Sequence, residues 1–100
     1  MYLRQMNYRQ YGNLKDKIMI TVDYKTQTLG QISQVIRHDW KKVYFGAVPY
    51  LSAMQTLESV NDKYGYDSGS SIVAYFLANA STWRGETARE IKKELNRRIK

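Results

Sequence analysis

Leu29-Gly30-Gln31-Ile32-Ser33-Gln34-Val35-Ile36-Arg37-His38-Asp39-Trp40-Lys41-Lys42-Val43 is the stretch in which the hydrophobic period changes. Leu29, Ile32, Ile36, Trp40 and Val43 recur at steps of three or four, which places them on one helical stripe. Thr26 or Thr28 can cap that helix, and Gly30 falls near its start, where a glycine does least harm. The β-branched pair Val35-Ile36 leaves a strand over 31–37 as the competing reading.

Upstream the period is two. Ile18, Ile20, Val22 and Tyr24 alternate with Met19, Thr21 and Asp23, so residues 17–24 predict a strand with one apolar face. A lone strand is unstable in water, and residues 2–11 are its expected partner, joined through Gly12-Asn13. Downstream, Phe45-Gly46-Ala47 punctuates the chain and Pro49 suits a first helical turn. Tyr50, Ala53, Met54, Leu57 and Val60 make a second helical stripe. Asn61 to Gly69 reads as a loop, with Gly65 in a left-handed turn. Asp67 or Ser68 can cap a third helix over about Ser70–Asn79. Ile72, Val73, Tyr75, Phe76, Leu77 and Ala80 make it apolar nearly all round, the pattern of a central core helix. Trp83-Arg84-Gly85 precedes a last helix, Glu86–Lys100, with Ala88, Ile91, Leu95 and Ile99 as a narrow core stripe. The expected architecture is α+β and helix-dominated. An N-terminal β-hairpin, or short two-stranded sheet, leads into about four helices, in a single domain over residues 1–100.

Composition fits one such domain. The 100 residues carry 16 Lys plus Arg against 9 Asp plus Glu, a formal charge of +7. A chain of this length buries roughly 60–70% of its unfolded surface, enough for one core. The absence of Cys excludes disulfides, thiolate nucleophiles and thiolate metal sites, and a single His excludes a multi-histidine centre. The N-terminus has no apolar signal region, and the apolar run Ile72–Ala78 is far short of the roughly 20 residues that span a bilayer. A cytoplasmic location without membrane contact follows as the expectation.

The charge is unevenly placed. Residues 84–100 hold Arg84, Arg89, Lys92, Lys93, Arg97, Arg98 and Lys100 against Glu86, Glu90 and Glu94. With Ala88 at zero on a helical wheel, the apolar set spans roughly −60° to +20°. Lys92, Asn96, Arg89, Lys100, Lys93 and Arg97 then occupy roughly +40° to +180° by the same construction. Glu90 and Glu94 fall beyond them, near the far side, and Glu86 overlaps the basic arc only in the first turn. Glu86–Arg89, Glu90–Lys93 and Glu94–Arg97 are spaced to pair along the helix. The functional reading is contact with phosphates or an acidic protein surface; the plainer one is a solvated amphipathic helix. If such a face neutralised about five phosphates, the log–log salt slope of binding would be near −4.5.

The nine tyrosines divide in the same way. Tyr8 and Tyr11 lie beside Arg4 and Arg9, and Tyr64 and Tyr66 flank Gly65. Aromatics interleaved with bases can stack nucleobases or form an interface. Tyr24, Tyr50 and Tyr75 are expected in the core with their hydroxyls at its edge. Candidate binding residues are therefore Arg84, Arg89, Lys92, Lys93, Arg97 and Lys100, with Tyr8, Tyr11, Tyr64 and Tyr66.

No catalytic constellation is legible. His38 and Asp39 are adjacent, which on a helix turns them about 100° apart. The segment Asp62–Gly69 has a passing likeness to a calcium loop but lacks the alternating ligands and the terminal bidentate Glu. Neither a phosphate-binding nor a nucleophile-elbow motif occurs. A non-enzymatic protein without metal or cofactor is expected.

Tyr44-Phe45-Gly46-Ala47-Val48-Pro49-Tyr50-Leu51-Ser52-Ala53-Met54, with Trp83-Arg84-Gly85-Glu86-Thr87-Ala88-Arg89, resembles small accessory proteins of phages and conjugative elements of Gram-positive bacteria. That resemblance implies a mobile-element protein that binds a host protein or nucleoprotein complex, its sharpest version an anti-CRISPR-like inhibitor of a type II effector. It carries no functional residue over. The chain's positive charge argues against DNA mimicry. A small DNA- or RNA-binding regulator of the element's own genes is the alternative, and a structural or oligomerisation module the third reading.

Overall fold

A computed structural model describes residues 23–100. The expected strand over 2–11, the turn at Gly12-Asn13 and most of the strand over 17–24 lie outside the described residues, as do Tyr8 and Tyr11. The end of that second strand is described and differs. Tyr24–Thr26 form a 3-10 turn, which Asp23 caps by accepting a hydrogen bond from the Lys25 amide at 3.0 Å.

Four helices follow: α1 (Leu29–Asp39), α2 (Val48–Met54), α3 (Gly69–Ala78) and α4 (Glu86–Ile99). Two strands, β1 (Lys63–Tyr64) and β2 (Asp67–Ser68), form an antiparallel hairpin between α2 and α3. The α+β, helix-dominated class holds, with the described strands in the middle of the chain. The segment expected to be a plain loop is this hairpin, and Gly65 turns it at φ 63°.

Helix α1 realises the helical reading of its stripe: Leu29, Ile32 and Ile36 are buried, and Trp40 packs just beyond the last turn. Thr28 caps it through a reciprocal box. Its hydroxyl accepts from the Gln31 amide at 3.0 Å, and Gln31 Oε1 accepts from the Thr28 amide at 2.9 Å.

Helix α2 begins as expected, with Pro49 in its first turn, but ends at Met54. The expected continuation through Leu57 and Val60 turns back instead. The Leu57 and Glu58 carbonyls accept from the first-turn amides of α1, Gly30 at 2.9 Å and Leu29 at 3.0 Å. Leu57 is still buried, by this turn rather than by helix. The crossing is close enough that a β-carbon at Gly30 would lie 2.8 Å from the Gln55 carbonyl oxygen. Glycine is therefore required there by approach.

Helix α3 is capped by Ser68, whose hydroxyl accepts from the Ser71 amide at 3.1 Å. Ile72, Val73 and Phe76 are buried. Tyr75, expected in the core, is 51% exposed. Each face of α3 is apolar in sequence, so periodicity could not say which one the neighbours leave open. One core cluster runs through all four helices. At its centre Trp83 stacks on Trp40 at 5.8 Å and meets Phe76 edge-on at 6.3 Å. The Trp83 indole N–H donates to Asp39 Oδ2 at 2.8 Å, which gives the buried ring its polar partner. Asp39 is thus engaged with Trp83, and His38 beside it is exposed. Among the described residues, no helix is long and apolar enough to cross a membrane.

Candidate functional site

Helix α4 carries most of the candidate residues. Ala88, Ile91 and Leu95 bury the expected stripe, with Ile99 partly buried. Gly85 precedes the helix at φ 114°, a conformation open to glycine, and Glu86 in the first turn suits the positive end of the helix dipole.

The wheel is not symmetric about this stripe. On one edge the 3-10 turn lies across α4. Burial, with the Asp39 and Glu90 charges behind it, raises the Tyr24 pKa, and Thr87 opposes the shift. On the same edge Glu94 is buried, 6% exposed. This corrects its expected place on the far side of the solvated face. Arg97 grips Glu94 with two bonds, 3.0 Å to Oε1 and 2.6 Å to Oε2. Arg98 adds a third at 2.7 Å to Oε2, and its other nitrogen donates to the Tyr24 carbonyl at 2.7 Å. The bond from Arg97 is the foremost cause that holds the Glu94 carboxyl down to about 2; Arg98 adds to it, and burial opposes both. Only Glu94–Arg97, of the expected pairs, stands among the ion pairs of the described residues, and it is shared with Arg98.

Arg97 is 58% exposed, so its plane still faces solvent while its charge is matched. Arg98, which the wheel did not single out, is 12% exposed and ties the C-terminal helix to the chain at Tyr24. The signal was present. Arg98 lies four residues after Glu94 on the edge beside the core, but nothing local says that the chain at Tyr24 covers that edge.

The opposite edge differs. Lys92 is half-buried there. Its ammonium donates to the Trp83 carbonyl at 2.7 Å and lies 5.8 Å from the ring centroid. Burial lowers its pKa, with the Arg84 charge as the second cause. Arg84, Arg89, Lys93, Asn96 and Lys100 are exposed. Asn96 turns its amide back to the Lys92 carbonyl at 2.8 Å. Arg89, Lys93 and Lys100 thus form a row along α4 between roughly +100° and +140° on the wheel, with Glu86 of the first turn beside it near about +160°.

A cleft lies between the 3-10 turn and α4. Lys25, Lys93, Arg97 and Lys100 contribute cations to its walls, and Asp23, Glu90 and Glu94 contribute acids. Its mixed charge suits it less well than the open row to a polyanion.

Tyr64 and Tyr66 are exposed on the hairpin, not on α4. Their neighbours Asp62 and Asp67 make the hairpin a poor surface for phosphate. Asp62 itself closes the preceding turn, accepting from the Glu58 and Ser59 amides at 2.9 and 3.2 Å. Comparison with protein-family models, curated proteins and solved structures finds no match.

Proposed function

We propose that this chain is a non-enzymatic binding protein that docks the open row of α4 against the phosphate backbone of a host nucleoprotein complex. The observation that carries this reading is that Arg84, Arg89, Lys93 and Lys100 are all exposed, the last three within about 40° of arc on α4, with Glu86 in the first turn as the acid beside them. Arg97, Arg98 and Lys92 contribute less, because each already has a partner in the fold. The accessory role implied by the resemblance to phage and conjugative-element proteins sits well with a partner of this kind, and a type II CRISPR effector is the sharpest case.

A regulator that reads base sequence has less support. Asn96 is the one amide on the arc, and its N–H2 group is turned to the helix backbone. Contacts of Lys and Arg to phosphate position a protein without reading sequence.

The test is fluorescence anisotropy with a nucleic-acid duplex across a salt series. About four neutralised phosphates give a log–log slope near −3.6. Combined Arg89→Glu, Lys93→Glu and Lys100→Glu replacement should abolish binding with the circular dichroism spectrum unchanged. A slope near zero, or binding that survives the reversal, removes the reading. Capture from a host lysate with and without nuclease then separates a nucleic-acid contact from a purely protein one.

A further inference from the structure

Two stretches of the chain are free of acid. No Asp or Glu occurs from Trp40 to Leu57, nor from Ser68 to Gly85. These stretches hold α2 with the short 3-10 turn before it, Phe45–Ala47, and α3. The two helices pack together, and Tyr50 meets Tyr75 across them at 5.4 Å.

Large rings stand out from this pair. Phe45 is 79% exposed, and Tyr44, Val48 and Tyr75 are exposed with it. The rings are held in place. Phe45 tilts against Tyr44 at 4.9 Å and 56°. The Tyr44 ring and the Asn79 amide close over Gly46, where a β-carbon would meet them at 2.6 and 2.8 Å. Asn79 in turn donates to the Tyr75 carbonyl at 2.9 Å. Gly46 and Asn79 therefore connect the Tyr44–Phe45 rings to α3 at Tyr75. Lys41 and Lys42 are exposed just before it, and Arg37 reaches Ser52 of α2 at 3.1 Å.

Exposed rings beside cations, with the carboxylate just before them in sequence, Asp39, held by the Trp83 indole, complement a polyanion that carries flat apolar groups. A second copy of the chain fits less well, because a self-complementary contact would offer Lys41 and Lys42 no carboxylate from these acid-free stretches. We propose that this strip is a stacking platform for the bases of single-stranded nucleic acid. Phe45, Tyr44 and Tyr75 offer the ring faces, and Lys41 and Lys42 take the flanking phosphates. The proposal rests on the nucleic-acid reading of α4 and names the strand form it would hold.

Two probes separate the platform from the cationic row: an oligothymidylate of about a dozen nucleotides, and an abasic phosphodiester of the same length, which keeps the phosphates and lacks the bases. The full chain should bind the first more tightly, by about tenfold for each ring that stacks. Phe45→Ala should weaken oligothymidylate binding about tenfold and leave abasic binding unchanged, while Phe45→Trp preserves both. Tyr75→Ala should act in the same direction, and Tyr66→Ala, on the hairpin, should do nothing. Reversal of Arg89, Lys93 and Lys100 should weaken both probes alike. Equal affinity for the two probes, or a ratio indifferent to Phe45→Ala and Tyr75→Ala, overturns the platform and leaves the α4 row standing. Absence of binding to either probe removes both. Sedimentation that shows a dimer broken by Phe45→Ala, with oligonucleotide binding untouched, overturns the platform in favour of a second copy.

Discussion

The two edges of α4 draw on the same residue types and use them differently. On the edge beside Tyr24, Glu94, Arg97 and Arg98 form a clasp in which the carboxylate is buried and the cations are matched. Beyond that clasp, Arg89, Lys93 and Lys100 are exposed, and Lys93 and Lys100 line the cleft that they share with Asp23, Glu90 and Glu94. A charge count treats the edges alike. Their difference lies in pairing: the fold matches Arg97 and Arg98 to Glu94, whereas among the described residues no ion pair engages Arg89, Lys93 or Lys100. The clasp should govern stability and the row should govern binding.

The largest disturbance should come from Trp83, which underlies both edges through its contact with Trp40 and the bond that its carbonyl receives from Lys92. Trp83→Ala should cost about 4 kcal/mol in urea unfolding, the range for truncating a buried aromatic. A loss below about 1 kcal/mol would mean that the stack is not the centre of the core.

Next comes the clasp. Arg98→Ala leaves Glu94 buried with one partner fewer and frees the Tyr24 carbonyl, at a cost of about 3 kcal/mol. If the denaturation midpoint does not move, Glu94 is better hydrated than its burial implies, and the contrast between the edges fails.

Acid probes the same group more gently. The Glu94 carboxyl is held at about 2 in the fold against an ordinary 4.5. A folded value below the unfolded one means that folding favours the ionised form. Its contribution is complete above pH 4.5, shrinks as pH falls through that value, and is gone below about 2. Urea midpoints across this window should decline in the native chain, and Glu94→Gln should flatten the part due to this group. A decline of unchanged size in Glu94→Gln would assign the acid sensitivity elsewhere.

The smallest stability effect belongs to the open row. Lys93→Ala should change stability by less than about 0.5 kcal/mol, the range for an exposed surface position. It should still reduce the salt slope of phosphate binding by about 1 unit. A stability loss like that of Arg98→Ala would show Lys93 to be structural and erase the distinction.

Much of the fold is legible in local pattern because each helix carries its own signals. Leu29, Ile32 and Ile36 share a stripe, Thr28 and Gln31 make a capping box, and Ser68 starts α3. The end of α2 is not legible. Leu57 and Val60 continue its period, yet the chain turns so that the Leu57 and Glu58 carbonyls can meet the Leu29 and Gly30 amides. That choice rests on a partner distant in sequence. The hairpin at Lys63–Ser68 is too short to show a period of its own. Phe45 read as punctuation, because a single ring beside glycine announces a turn and not its exposure.

The candidate site divides in the same way. By itself the sequence placed the excess charge on the last helix and identified Ala88, Ile91 and Leu95 as that helix's inner line, because a 3.6-residue period is a property of the chain alone. Only the tertiary structure decided which cations remain open. Arg98 and Arg97 are matched because Glu94 lies in the seam where the chain at Tyr24 crosses α4, where an unpaired carboxylate would be costly to desolvate. Lys92 is half-closed because the Trp83 carbonyl lies within its reach. Arg89, Lys93 and Lys100 stay exposed, Lys93 and Lys100 at the wall of the cleft between the 3-10 turn and α4, because no ion pair among the described residues engages them.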